Sequence, residues 1–72
     1  MHGLFVVEVK RGSLAARYGI RTGDILLEAN QNVLKGLPDL EAVLRGEAKK
    51  KQVLMFLLRR DQQNYFITIP FD

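Results

Sequence analysis

"YGIRTGDILLEANQN" (Tyr18 to Asn32) holds two glycines four residues apart, and the second runs into an acid and then an apolar stretch. A glycine one position past a helix end takes up the left-handed conformation without a Cβ penalty. Gly19 therefore reads as the stop of a short helix, Leu14 to Tyr18, with Ile20 folding back onto it as the apolar contact. At the other end Ser13 is placed to cap that helix, its hydroxyl accepting a free backbone N–H of the first turn. Gly23-Asp24 before an apolar run marks a tight turn feeding a strand, and Asp24 can accept hydrogen bonds from nearby backbone N–H groups. The strand is Ile25 to Ala29, with Ile25 and Leu27 on one face and Glu28 on the other. Asn30 to Asn32 is the turn that ends it, since Asn tolerates positive φ where glycine would otherwise be expected.

Outward from this stretch, Gly3 to Val9 is rich in β-branched and aromatic residues and reads as a strand. Four consecutive apolar residues leave open which side faces the core. Val33-Leu34 is long enough for only a brief strand. Leu37 to Arg45 is the second helix: Pro38 sits in its first turn, where its missing N–H costs nothing, and Asp39, Glu41 and Arg45 suit the helix dipole. Leu37, Leu40, Val43 and Leu44 fall on one stripe, and Gly46 stops the helix. "EAKKK" is then a polar connector, and Gln52 to Arg60 and Tyr65 to Phe71 are strands joined by a turn at Asp61 to Asn64. The order predicts an α+β fold, a small curved antiparallel sheet or partly open barrel of about four to five strands capped by two helices.

The chain has 72 residues and 47% hydrophobic content, enough for one domain, 1–72, in which Met1 and His2 read as an appended remnant. A chain this short buries only about 60% of its unfolded surface, and with no Cys it has no covalent staple. The longest apolar run, Val53 to Leu58, falls far short of the roughly 20 residues a membrane helix needs, so no direct membrane insertion is expected. Met1 is followed at once by strand-like sequence, with no signal peptide, and the chain reads as a domain of a larger protein. The net charge is +3. Lys49, Lys50 and Lys51 with Arg59 and Arg60 read as solvated charge, and aromatic residues are not interleaved with them as single-strand stacking requires, so no nucleic-acid partner is expected. The competing reading, a nucleic-acid or lipid binder using these five residues, predicts binding that falls steeply with salt.

The sequence offers almost nothing for catalysis. It has one His (His2, near the terminus) and one Ser (Ser13, explained as a cap), so a Ser-His-Asp arrangement has no credible base. The carboxylates show no metal-ligand spacing. Asp24 and Glu28 are four apart on a strand, roughly 13 Å. Gly19 and Gly23 make no phosphate loop. No catalytic residue, metal or cofactor is expected. What remains is binding, and a small fold can recognise a peptide by adding it as a strand to a sheet edge beside a side-chain pocket.

"VKRGSLAARYGIRTGDILLEANQNVL" (Val9 to Leu34) resembles the core signature of bacterial PDZ domains. "LPDLEAVLR" is similar to their second helix, and "LMFLLRRDQQNYFITIP" to their closing hairpin. The likeness runs from Gly3 to Pro70. It is closest to PDZ domains of HtrA/Deg-type serine proteases, the second of two in particular. Site-2 metalloproteases and secretion or processing proteins carry related modules. The resemblance implies a module that is not itself an enzyme but is attached to a serine endopeptidase in the bacterial periplasm or envelope. Its partners would be peptides, C-terminal tails or exposed hydrophobic segments of unfolded proteins, together with the protease domain of the same parent chain. The peptide site would involve Leu4 and Val6 with Leu37, Glu41 and Leu44, while Ser13, Gly19, Gly23, Asp24 and Asn30 are structural. In HtrA-type PDZ domains the carboxylate-binding loop and the peptide-pairing strand lie upstream of the match to Gly3, so this chain is expected to begin after them. That would leave the strand at Leu4 to Val9 with a free apolar edge, prone to self-association or to use as an assembly element. Gln31 stands where an Asn-Gly turn would place glycine, which leaves the turn type open.

Overall fold

The computed structural model describes residues 3–70. The elements are β1 (Leu4–Phe5), α1 (Leu14–Arg17), β2 (Ile25–Ala29), β3 (Asn32–Val33), α2 (Leu37–Arg45), α3 (Glu47–Lys51), β4 (Val53–Arg60) and β5 (Gln63–Pro70). They form one open five-stranded antiparallel sheet in the order β1-β2-β4-β5, with β3 also paired to β2. β1 and β3 share one edge of β2, opposite Ile25-Leu26 and Glu28-Ala29 respectively, and β4 holds the other edge. The α+β architecture read from the sequence is the one observed, with the sheet open rather than closed into a barrel.

Leu54, Phe56 and Leu58 alternate along β4 and are buried, with Ile69 beside them on β5. Ile20, Leu26, Ala29 and Leu34 come from the first half of the chain, and Val43 and Ala48 from the helices. Gly19 has φ +102°. Ile20 N–H donates to the Ala15 carbonyl (2.9 Å) and Gly19 N–H to that of Ala16 (3.3 Å), the crossed pair that closes a helix through a left-handed residue. Ser13 Oγ accepts from Ala16 N–H at 3.2 Å. Both ends of α1 are built as their residues predict, although Tyr18 is the cap rather than the last helical residue.

The structure departs from the expected elements in four places. "EAKKK" is a helix, not a connector: Gly46 turns the chain instead of ending the helical path, Lys50 N–H reaches the Gly46 carbonyl (3.0 Å), and fully buried Ala48 anchors the turn to the core. In β2 the core-facing residues are Leu26 and Ala29, not Ile25 and Leu27. A bulge between Leu26 and Glu28 in the pairing with β4 shifts the phase, and the Leu27 carbonyl turns to accept Leu34 N–H at 2.9 Å. Such a bulge spends one residue to re-aim the strand. Regular β1 spans only Leu4–Phe5 of the expected Gly3 to Val9, extended by hydrogen bonds of Val6 to the Gly23-Asp24 turn. Finally, both hairpin turns are two residues long, with positive φ at Asn30 (48°) and Gln31 (68°) and at Asp61 (52°) and Gln62 (68°). These are the mirror-image turns whose twist matches paired strands, and Gln31 occupies the glycine position without changing the turn type.

Candidate functional site

The site predicted from the sequence is bounded by β1 and α2. Val6 donates its N–H to the Asp24 carbonyl and accepts from Gly23 N–H, both at 2.8 Å, on the β2 side. Backbone groups of successive strand residues point to opposite edges. The N–H and C=O of Phe5 and Val7 therefore face away from β2. No strand pairs with that edge among the described residues. The side chains divide the other way. Leu4 and Val6 are half-buried against the core, whereas Phe5 and Val7 are 63% and 75% exposed on the opposite face. The pairing capacity of β1 thus belongs to Phe5 and Val7, and the apolar floor beside it to Leu4 and Val6. The sequence reading named only the second pair, because an unbroken apolar run hides the phase of the strand.

On α2, Val43 is buried, Leu40 and Leu44 are packed against the core from its rim, Leu37 is 58% exposed and Glu41 is exposed. At 100° per residue, Leu37, Glu41 and Leu44 form one flank of the helix. The other flank, Asp39 and Ala42 beside Val43, faces β3 across an open hollow of about 480 Å³ that Glu47 of α3 also borders. None of the five predicted peptide-site residues lines that hollow. The Leu37-Glu41-Leu44 flank points away from β3, and its half-buried Leu44 joins the same core as Leu4 and Val6. The helix is held at its start by Asp39, whose Oδ2 accepts from Gly36 N–H (3.1 Å) and Lys35 N–H (2.8 Å).

Asp24 and Asn30, named from the sequence as structural, are also fixed by long-range bonds that it did not reveal. Asp24 is 1% exposed and its carboxylate is held by Arg60, Nε to Oδ1 at 2.8 Å and a terminal nitrogen to Oδ2 at 2.7 Å. That same nitrogen donates to the Gly19 carbonyl at 2.7 Å, and Arg21 N–H donates to Oδ2 at 2.8 Å. The Arg60 hydrogen bond, against the opposing effect of burial, holds the Asp24 carboxyl below its ordinary pKa. Arg60 also lies over the Tyr65 ring, 5.4 Å from its centroid. It is therefore an internal clamp joining the end of α1, the start of β2 and the closing hairpin, not part of a basic binding strip. Lys51 pairs with Glu47 at 3.0 Å. Asn30 is buried and its side chain continues the β2–β4 ladder: Oδ1 accepts from Met55 N–H (2.7 Å) and Nδ2 donates to the Val53 carbonyl (3.0 Å). Gly23 has φ +96° and sends its N–H to Val6, so the turn that starts β2 also aligns β1.

The PDZ domain family matches residues 5–59. The chain belongs to the PDZ domain family. Its likeness extends to the periplasmic serine endoprotease DegP of Escherichia coli K12, 32% identical over 65 residues, 90% of this chain and 13% of that protein. Among solved structures it is similar to the HtrA3 PDZ domain bound to a phage-derived ligand, FGRWV, with a TM-score of 0.84 at 28% identity, covering 96% of this chain and 62% of that one. An HtrA-type protease, AlgW, solved with a decapeptide, gives a TM-score of 0.79 at 25% identity over 94% of this chain and 20% of the other. The chain spans only 9–14% of the length of the curated relatives it matches. It is thus a PDZ module of the HtrA kind, equivalent to a small part of those serine proteases.

Proposed function

We propose that this PDZ domain binds an extended peptide as an added strand on the open edge of β1, with the Leu37, Glu41 and Leu44 flank of α2 as the facing wall and Leu4 and Val6 as the apolar floor. The observation that carries this reading is the outward-facing, unpaired backbone of Phe5 and Val7 on an edge strand whose other edge is fully engaged with β2 and the Gly23-Asp24 turn. Main-chain hydrogen bonds then supply affinity and the α2 flank supplies selectivity. The peptides solved on the HtrA3 PDZ domain and on AlgW support a ligand of this class. In a longer parent chain of the HtrA type, the module would tether unfolded segments, or regulate a serine endopeptidase domain in the periplasm, the compartment named for DegP.

The experiment is fluorescence anisotropy with a labelled peptide carrying a hydrophobic C-terminal tail. Phe5→Pro removes an N–H that plays no part in the β1–β2 ladder, and Leu37→Ser alters the wall at an exposed position. Each is expected to weaken binding by about tenfold or more, the loss of a main-chain bond or an apolar contact. If neither variant, folded as judged by circular dichroism, changes the affinity, the peptide does not lie on this edge.

A further inference from the structure

The strand β5 ends the sheet on the side away from β1, and its far edge is open. The turn at Asp61-Gln62 closes on the Arg60–Gln63 pair, and a two-residue turn of this kind closes on a pair that exchanges both backbone bonds. Alternation along the register then has Gln63, Tyr65, Ile67 and Ile69 bonded to β4. The N–H and C=O of Asn64, Phe66 and Thr68 point away from it, with no partner among the described residues. Pro70 comes next and has no N–H to offer. The free run is thus bounded by the turn on one side and a proline on the other, with Phe66 at its centre. Phe66 is 69% exposed and Tyr65 40%. No residue from Gln62 to Pro70 is charged, so this edge lacks the charges that commonly keep strand edges apart.

We propose that β5 pairs antiparallel with β5 of a second copy of the chain, about a two-fold axis at Phe66. Phe66 then faces its own copy and Asn64 faces the partner's Thr68. Each of these pairs exchanges both backbone bonds, so every outward N–H and carbonyl of the run is satisfied. On the core side Tyr65 stands opposite the partner's Ile67, an aromatic and β-branched pair of the kind that stabilises neighbouring strands. The fit of the run to itself names the occupant. A register moved toward the C-terminus draws Pro70 into the ladder, and one moved toward the N-terminus draws in Gln62, held by the turn at φ 68°. Only the register about Phe66 uses the whole run. A two-fold contact is also closed, whereas β5 set against β1 of the next copy would grow without end. In the dimer the sheet order becomes β1-β2-β4-β5-β5-β4-β2-β1, which leaves both β1 edges free for peptide at its outer ends. The contact is one strand wide and belongs with small, transient interfaces.

Sedimentation equilibrium of the 72-residue chain tests this. The expected result is a monomer–dimer equilibrium with a Kd on the order of 100 μM. Thr68→Pro removes an outward N–H and nothing from the β4 ladder, and should raise that Kd at least about tenfold. The axis is tested by Phe66→Lys and Phe66→Glu, both at an exposed position. Each variant alone sets like charges opposite one another and should be monomeric. An equimolar mixture of the two should recover a dimer, because only a residue on the axis meets its own copy. Circular dichroism confirms that each variant is folded. A chain that stays monomeric at about 1 mM, a dimer indifferent to Thr68→Pro, or a Lys and Glu mixture that stays monomeric overturns the proposal. So does a dimer lost with Phe5→Pro, which would place the contact on the β1 edge. Amide shifts at Asn64, Phe66 and Thr68 on adding a hydrophobic-tailed peptide to a monomeric chain would make this edge a peptide site instead, and overturn it too. Peptide affinity is read separately in the Thr68→Pro monomer, so failure here leaves the β1 reading standing and the reverse also holds.

Discussion

Asp24 joins more parts of the chain than any other residue named from the sequence, through Arg60, Arg21 and, by way of the Arg60 guanidinium, the end of α1. Removing one partner of a buried ion pair leaves an uncompensated group, at a cost of about 3 kcal/mol or more. Arg60→Ala is expected to lower stability by that amount in urea denaturation, enough to leave a domain of this size marginal. The pH dependence follows from the same contact. The folded pKa of Asp24 lies below its unfolded value, so the stabilisation is complete above about pH 4 and disappears as pH falls through the folded pKa. Asp24→Asn should flatten the acid side of the stability profile, and a profile unchanged by that substitution would remove the clamp from this account. At Asn30, substitution by Ala strips partners from Met55 N–H and the Val53 carbonyl, and about 1–3 kcal/mol should be lost in the same assay. Ser13, Gly19 and the turn role of Asp24 were legible in the sequence, because their partners lie within a few residues. The Arg60 clamp was not, since its partner is 36 positions away and adjacent "RR" gives no sign of which arginine turns inward.

At the scale of elements, local chemistry and tertiary packing divide the work. The strand–helix order, the cap of α1 and the brief β3 follow from punctuation residues that act over one turn. α3 was illegible because its anchor is a single alanine: Ala48 contributes little to a periodic pattern, yet it is fully buried. The phase of β2 was misread for a related reason, since alternation cannot register a bulge whose stray carbonyl is taken up by Leu34. The hairpin turns carry a further prediction. Gln31 and Gln62 sit at φ +68°, a conformation costing roughly 1 kcal/mol for a side-chain-bearing residue and favouring glycine in this turn type. Gln31→Gly, which gives Asn-Gly, should raise stability by about 0.5 kcal/mol after the added unfolded-state entropy is deducted. A differential scanning calorimetry trace with an unchanged or lowered midpoint would contradict that assignment.

The whole molecule is a PDZ fold with an open strand edge at β1 and an apolar outer sheet face that share Phe5. The sequence pointed to the first through Leu4, Val6, Leu37, Glu41 and Leu44. In the structure the side chains of Leu4 and Val6 pack against the core, while Phe5 and Val7 are exposed with their backbone groups turned away from β2. The outer face escaped notice entirely. Phe5, Leu57 and Phe66 come from three different strands and share one face only through the register of β1, β2, β4 and β5. The most direct test of the central claim is a ¹H–¹⁵N NMR titration of the chain with a hydrophobic-tailed peptide. Strand addition predicts saturable shifts at the amides of Phe5 and Val7 and along Leu37 to Leu44, with the amide of Val6, already bonded to Asp24, protected from exchange throughout. Saturable shifts confined to other regions, or no shifts at millimolar peptide, would contradict it.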